Sequence, residues 1–125
     1  VGTDLVTNTS VAQAAVMSTG FHGISIGLAL PHLGSWSTST GVQAYCLEFG
    51  KANPEANQID GQVVSNVAGV GGLQLARVNY VLANWGSTGD NVQAAAVQAA
   101  VWILMGQIGY DGLKQAVAKA RAAKS

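Results

Sequence analysis

Residues 90–106 read DNVQAAAVQAAVWILMG, a helical pattern with a start signal and a stop signal. Asp90 is a typical helix N-cap, and Gln93 stands three residues later, where it would complete a capping box. Gly106 is expected to end the helix. Between these signals, apolar residues recur at steps of three and four, namely Val97, Val101 and Leu104. We therefore predict a helix across this stretch.

Two further helical patterns flank this one. The earlier pattern has apolar residues at helical spacing, namely Leu75, Val78, Val81, Leu82 and Trp85. Gly86 follows it directly and is expected to end that helix. The later pattern runs from about Asp111 to Ala123. The second half of the chain is therefore predicted to be helical.

The first half of the chain has the patterns of strands and turns. From Phe21 to Leu30, apolar residues alternate with small or polar ones, which is typical of a half-buried strand. Pro31 is expected to end this strand. The serine- and threonine-rich run Ser35–Thr40 around Trp36 is interpreted as a loop or hairpin tip.

A second strand is predicted for Val42–Phe49. Its bulky residues stand at odd positions, namely Tyr45, Leu47 and Phe49. If these face the core of the sheet, Cys46 points to the opposite side. The polar segment Lys51–Gly61 is interpreted as an exposed loop.

Strands followed by helices, without βαβ alternation, predict an α+β fold. We expect an antiparallel β-sheet or sandwich with a helical subdomain packed on it. The 125 residues fit a single domain, β-rich in about 1–62 and helix-rich in about 63–125. The start Val1–Asp4 has neither a methionine nor a signal-peptide pattern, which is typical of a processed protein or an excised domain.

Composition excludes several classes of partner. Charged residues make up only 10% of the chain, and the formal net charge is zero. A nucleic-acid binder or a binder of anionic membranes needs a cationic surface, so neither class is expected. The chain has one cysteine, which allows no internal disulfide and no cysteine-based metal cage. We expect neither a metal nor a cofactor.

The stretch 91–110 carries no formal charge and is long enough to span a bilayer. It contains three glutamines, however, and five of its apolar residues are alanines. We interpret it as a buried helix of a globular domain, and no membrane insertion is expected.

Cys46 and Gln98 are the candidates for chemistry. Taken alone, a single cysteine most often behaves as a small buried hydrophobic residue. Gln98 lies in an otherwise apolar helix. Its amide either lies on an exposed stripe or bonds to a neighbouring backbone carbonyl. An amide that is buried without a partner carries a desolvation penalty. His22 and His32 offer a possible Cys–His pair, although neither lies in a recognisable local motif.

Together, these two positions resemble a known arrangement. Tyr45-Cys46-Leu47-Glu48-Phe49 is followed, 52 residues after the cysteine, by a segment that begins at Gln98 and reads QAAVW. This pair of motifs resembles the thioester domains of Gram-positive bacterial surface proteins, in which an aromatic-Cys-aliphatic strand motif pairs with a Gln-x-Ala-Ile/Val-Trp helical motif. The likeness covers about Tyr45 to Gly106, and the chain is compact for that family.

The resemblance implies a function. Cys46 would donate the sulfur and Gln98 the acyl group of an internal thioester, with Tyr45, Trp102 and Met105 limiting access of water. The bond would react once with an amine, such as a lysine of a host or matrix protein, and leave an amide. We therefore expect a covalent adhesion module and not an enzyme. It would be a monomeric domain of a larger protein, extracellular and attached to the cell surface or cell wall.

Two alternatives remain open from the sequence. The same architecture without the bond would be a non-covalent binding or stalk domain, in which Cys46 is a buried thiol. A cysteine hydrolase would use Cys46 with His22 or His32, although no orienting acid supports it. Intact mass separates the first alternative from the thioester, because forming the bond releases one ammonia.

Overall fold

A computed structural model describes residues 5–7, 20–26, 30–37, 43–47, 62–63 and 71–124. Within these ranges five strands precede three helices. The elements are β1 (Leu5–Thr7), β2 (Phe21–Ile26), β3 (Leu30–Ser37), β4 (Gln43–Cys46), β5 (Gln62–Val63), α1 (Gly72–Trp85), α2 (Asn91–Leu104) and α3 (Tyr110–Lys124). This order of elements confirms the predicted α+β class.

The described strands form one five-stranded sheet in the order β2-β3-β4-β1-β5. Neighbouring strands are antiparallel, except for β1 and β5, which are parallel. β4 therefore lies in the middle of the sheet, between β3 and β1. Helix α2 packs on β2, β3 and β4, and α1 packs beside α2. This arrangement matches the sheet with packed helices that the sequence predicts.

The predicted boundary of the first strand is wrong. β2 ends at Ile26, and Pro31 lies within β3, close to its start. The register between β2 and β3 shifts between Ile24 and Ile26, next to the proline. A proline has no N–H to give to a ladder, and an irregularity in the pairing is where sheets accommodate it.

The predicted loop around Trp36 is also wrong in the part that the structure describes. Ser35, Trp36 and Ser37 continue β3. Trp36 pairs with Phe21 on one side and with Ala44 on the other. Serines usually indicate a loop, but here strands on both sides supply ladder partners, and long-range pairing overrides local preference. Residues 38–40 lie outside the described ranges.

The predicted second strand is shorter in the structure. β4 covers Gln43–Cys46, whereas Val42, Glu48, Phe49 and the predicted loop 51–61 lie outside the described residues. Tyr45 and Leu47 are buried in the core between the sheet and helices α1 and α2, as predicted. Cys46 packs instead with two other clusters, one around Trp102 and one around Trp36.

The start of α2 confirms the predicted cap but not the capping box. One carboxylate oxygen of Asp90 accepts hydrogen bonds from the N–H groups of Val92 at 2.8 Å and Gln93 at 3.3 Å. The Gln93 side chain does not return to Asp90, because its amide donates to the carbonyl of Trp85 at 3.0 Å. The N–H of Asp90 donates to the Thr88 hydroxyl at 3.0 Å instead.

Both predicted glycine stops are confirmed. The N–H of Gly86 donates to Leu82 O at 2.9 Å and closes α1. At the end of α2, Gly106 adopts a φ of 70°, the left-handed conformation that glycine tolerates best. Its N–H bonds to Ile103 O, and that of Gln107 bonds to Trp102 O, the pair of bonds that defines a Schellman motif.

The predicted third helix is present as α3, Tyr110–Lys124. Among the described residues, none of the helices combines the length and the apolar character needed to cross a bilayer. Helix α2 itself has only 14 residues.

Candidate functional site

Cys46 is the last residue of β4 and is partly buried. On one side it pairs with Leu5 of β1. On the other side, the register between β3 and β4 runs from Ser37/Gln43 to Trp36/Ala44. Cys46 therefore lies two residues beyond Ala44, the last residue of β4 in this register with β3.

Gln98 lies in the middle of α2 and is only 1% exposed, so its amide needs partners within the protein. Both partners come from the main chain of Cys46. The Cys46 N–H donates to Gln98 Oε1 at 2.9 Å, and Gln98 Nε2 donates to the Cys46 carbonyl oxygen at 2.7 Å. The amide thus pairs with Cys46 as a residue of a neighbouring strand would. Gln98 is neither on an exposed stripe nor bonded to a carbonyl of its own helix.

Small side chains allow α2 to lie close to the sheet. Ala94 and Ala95 are buried on the face of the helix that also carries Gln98, and Ala99 is half-buried beside it. A larger side chain at these positions would hold the helix away from β4. The alanine-rich stretch that the sequence places around Gln98 therefore has a packing role.

The three predicted flanking residues divide between two clusters. Trp102 is buried with Leu33 and Ala95, and Cys46 packs against this cluster. Tyr45 belongs to the core between α1, α2 and the sheet, where Met105 is partly buried against it. Trp102 is therefore the flanking residue that shares a cluster with the cysteine.

Tyr45 is fully buried, and its hydroxyl donates to the carbonyl oxygen of Gly86 at 2.8 Å. Burial raises the pKa of Tyr45 to about 12. The phenol is therefore a neutral hydrogen-bond donor at physiological pH. It acts as a structural anchor for the residue that ends α1.

The two histidines contact residues of β2 and β3. His22 Nε2 lies 3.2 Å from the Ser37 hydroxyl. The ring of His32 packs edge-on against Phe21 at 4.9 Å between centroids, and lies 5.2 Å from the ring of Trp36. Trp36 in turn shares a small cluster with Cys46. The aromatic contacts therefore give His32 a packing role on the sheet.

Sequence reasoning missed Gln43. Its side chain bonds to both main-chain groups of Thr88: Nε2 donates to the Thr88 carbonyl, and the Thr88 N–H donates to Oε1 at 2.9 Å. A glutamine at the start of a strand resembles an ordinary surface residue. The only signal in the sequence is its position two residues before Tyr45, on the same face of β4.

A groove of about 340 Å³ lies on the far side of α2, lined by Val81, Trp85, Gln93, Ala96, Val97 and Ala100. No group of three or more histidine, cysteine or acidic side chains suited to a metal occurs in the part of the chain that the structure describes.

No family model, curated protein or solved structure matches this chain.

Proposed function

We propose that Cys46 and Gln98 form an internal thioester that captures an amine on a target protein. The observation that supports this proposal is the pair of hydrogen bonds, of 2.9 and 2.7 Å, between the Gln98 amide and the main chain of Cys46. These bonds hold the only carboxamide of the buried face of α2 against the only cysteine of the chain.

The bond would form by attack of the Cys46 thiolate on the carbonyl carbon of the Gln98 amide. Negative charge then develops on Oε1, to which the Cys46 N–H already donates at 2.9 Å. A donor at that distance is suited to stabilising an oxyanion. When the tetrahedral intermediate collapses, the C–N bond breaks, the nitrogen leaves with an added proton as ammonia, and the sulfur–acyl bond remains.

Folding would bring the two reacting groups together, so that no cofactor or separate catalyst is needed. Two groups held in a near-attack arrangement react as if at a very high concentration of each other. Gln98 is almost completely buried, and the low local dielectric strengthens the hydrogen bond to Oε1. Trp102, which packs in the same cluster as Cys46, would limit access of water to the bond.

Capture would be a single event. An amine, such as a lysine side chain, attacks the thioester carbonyl, the sulfur leaves as the Cys46 thiol, and the acyl group of Gln98 becomes an amide on the target. Because nothing restores the thioester, the protein would be a reagent and not an enzyme. We place it outside the cell, as a domain of a surface or cell-wall-attached adhesin that binds a host or matrix protein covalently.

Intact-mass spectrometry of the purified protein tests the proposal. For the wild type, we expect the mass calculated from the sequence less one ammonia. For Cys46→Ala, we expect the mass calculated from the substituted sequence, with no ammonia lost. Gln98→Glu should also retain the mass of its sequence, because it has no ammonia to lose, and Gln115→Glu, at an exposed position of α3, should behave as wild type. Added methylamine should give one adduct per molecule and then stop.

An unmodified wild-type mass, together with labelling of Cys46 by a thiol reagent in the folded state, would contradict the proposal. It would favour the non-covalent binding or stalk domain. That alternative has an observation of its own, since the two hydrogen bonds already satisfy the buried amide without any reaction. Turnover of an ester that stops in His22→Ala or His32→Ala would favour a hydrolase instead.

A further inference from the structure

A second set of polar contacts fastens β4 to the loop that precedes α2. The Tyr45 hydroxyl donates to Gly86 O at 2.8 Å. The Gln43 amide exchanges two hydrogen bonds with the main chain of Thr88, one of them at 2.9 Å. We name this set, Gln43 and Tyr45 on Gly86 and Thr88, the loop clamp.

The loop clamp resembles the Gln98 contact in kind but runs in the opposite direction. In the clamp, a glutamine of β4 bonds to both main-chain groups of a loop residue. At the candidate site, a glutamine of α2 bonds to both main-chain groups of a β4 residue. Gln43 is the first residue of β4 and Cys46 is the last. The strand is therefore tied to the segment from Gly86 to Gln98 at both of its ends.

Hydrogen bonds connect the loop clamp directly to the first turn of α2. The Thr88 hydroxyl accepts from the N–H of Asp90, and Asp90 caps the first turn of the helix. Gln98 stands eight residues after Asp90, a rise of about 12 Å along the axis at roughly 1.5 Å per residue. On β4, Cys46 stands three residues after Gln43, a span of about 10 Å.

Fixing Thr88 therefore fixes the position of Gln98 along the axis of α2 and the direction in which its side chain points around that axis. A slide of α2 by one residue would rotate its side chains by about 100° and turn the Gln98 amide away from Cys46. The buried apolar residues of α2 are Ala94, Ala95, Val97, Val101 and Trp102, and their contacts also hold the helix in place. Apolar contacts are not directional, so the hydrogen bonds at Thr88 add a directional constraint on the register of α2.

We propose that Gln43 is a positioning residue for the Cys46–Gln98 reaction, with Tyr45 as its support. Gln43 contacts neither reacting side chain and acts by setting where α2 begins. This inference rests on the proposed function. It predicts that loss of the loop clamp slows formation of the thioester well beyond its effect on stability, because a misplacement of about 1 Å can reduce a rate by roughly a hundredfold.

The test is the rate at which newly made protein loses ammonia. The full-length chain is made by cell-free synthesis and quenched in acid at set times. Its mass is then measured by intact-mass spectrometry. Gln43→Glu keeps the size of the side chain but replaces the donor to Thr88 O with a carboxylate oxygen. We expect formation to be at least about tenfold slower in this variant, and unchanged in Gln115→Glu, the same substitution at an exposed position.

A stability control separates positioning from folding. Val78→Ala removes apolar contacts from a fully buried site of α1 and touches neither the loop clamp nor Cys46. If Val78→Ala, with a melting temperature at or below that of Gln43→Glu, slows formation equally, the positioning role is wrong. Equal rates in wild type and Gln43→Glu would also overturn it, whereas a wild type that never loses ammonia contradicts the proposed function itself.

Amide hydrogen exchange tests positioning without the reaction. In a Cys46→Ala background no thioester can form, but the N–H of residue 46 remains to bond Gln98 Oε1. Adding Gln43→Glu should raise the exchange rate of this amide about tenfold or more, whereas the amide of Leu113, which bonds to Gly109 O in α3, should keep its rate. Unchanged exchange at residue 46 would overturn the inference.

Discussion

The side-chain amide of Gln98 donates to the carbonyl oxygen of Cys46 at 2.7 Å and accepts from its N–H at 2.9 Å. These two residues are 52 positions apart, on a strand and a helix. The contact satisfies the buried carboxamide of Gln98 and bonds to both main-chain polar groups of Cys46 at the same time. It also brings the carbonyl group of Gln98 to the residue that carries the only thiol of the chain.

Loss of the Gln98 amide should destabilise the fold even where no thioester can form. In a Cys46→Ala background, Gln98→Ala leaves the main-chain N–H and carbonyl of residue 46 without their partner and opens a cavity. We expect a loss of about 2–3 kcal/mol in the free energy of unfolding, measured with urea. Gln115→Ala in the same background should change it by less than about 0.5 kcal/mol. Equal effects of the two substitutions would show that the buried contact contributes nothing.

The buried phenol of Tyr45 predicts a loss of stability at alkaline pH. Its pKa is about 12 in the folded state, compared with 10.0 for the unperturbed group, so the folded protein holds this proton more tightly than the unfolded chain. The resulting stabilisation is complete below pH 10 and is lost as the pH rises towards 12. The slope should approach about 1.4 kcal/mol per pH unit.

Unfolding of Tyr45→Phe and Tyr80→Phe between pH 8 and 12 checks this prediction, in a Cys46→Ala background because hydroxide cleaves thioesters. Tyr45→Phe should be less stable at pH 8, since the Gly86 carbonyl loses its donor, but its alkaline decline should be shallower. Tyr80, which is 62% exposed, serves as the control and should leave the decline unchanged. A parallel decline in all three proteins would count against the burial of Tyr45.

The cap of α2 should contribute measurably to stability. Asp90→Ala removes the acceptor for the N–H groups of Val92 and Gln93, and we expect a loss of about 1 kcal/mol in thermal or urea unfolding. Asp90→Asn keeps an acceptor oxygen and should retain most of that stability. If the asparagine variant were as unstable as the alanine variant, the negative charge and not the cap would be the important feature.

The left-handed glycine that ends α2 should not tolerate a side chain. Gly106 has a φ of 70°, so Gly106→Ala is expected to cost about 1–2 kcal/mol. An added Cβ there would have open space around it, which makes backbone strain the only cause. Gly89→Ala, also in open space but without a positive φ, should be nearly neutral in the same urea titration.

The neutral composition predicts that capture depends little on salt. With a formal net charge of zero, the chain lacks an overall charge with which to steer a target towards the site. We expect the rate of adduct formation with methylamine to change less than about twofold between roughly 0.05 and 0.5 M salt. A steep fall with added salt would indicate local charge steering that the composition conceals.

Local signals in the sequence predicted the helices well. Asp90, Gly86 and Gly106 mark helix ends through contacts within a few residues, and such contacts form wherever the helix forms. The strands were predicted less well. The segment Leu30–Ser37 contains a proline and two serines, and it is a strand because β2 and β4 pair with it on either side.

The sequence by itself determined the α+β class, the limits of the helices and the absence of overall charge, because periodicity, caps and composition are local or additive properties. It also indicated Cys46 and Gln98 as a pair, through the resemblance of their motifs. Only the tertiary structure decided that the Gln98 amide bonds to the main chain of Cys46 and that Gln43 holds Thr88. A carboxamide can bond to almost any polar group, so its partner depends on which elements the packing of the core brings together.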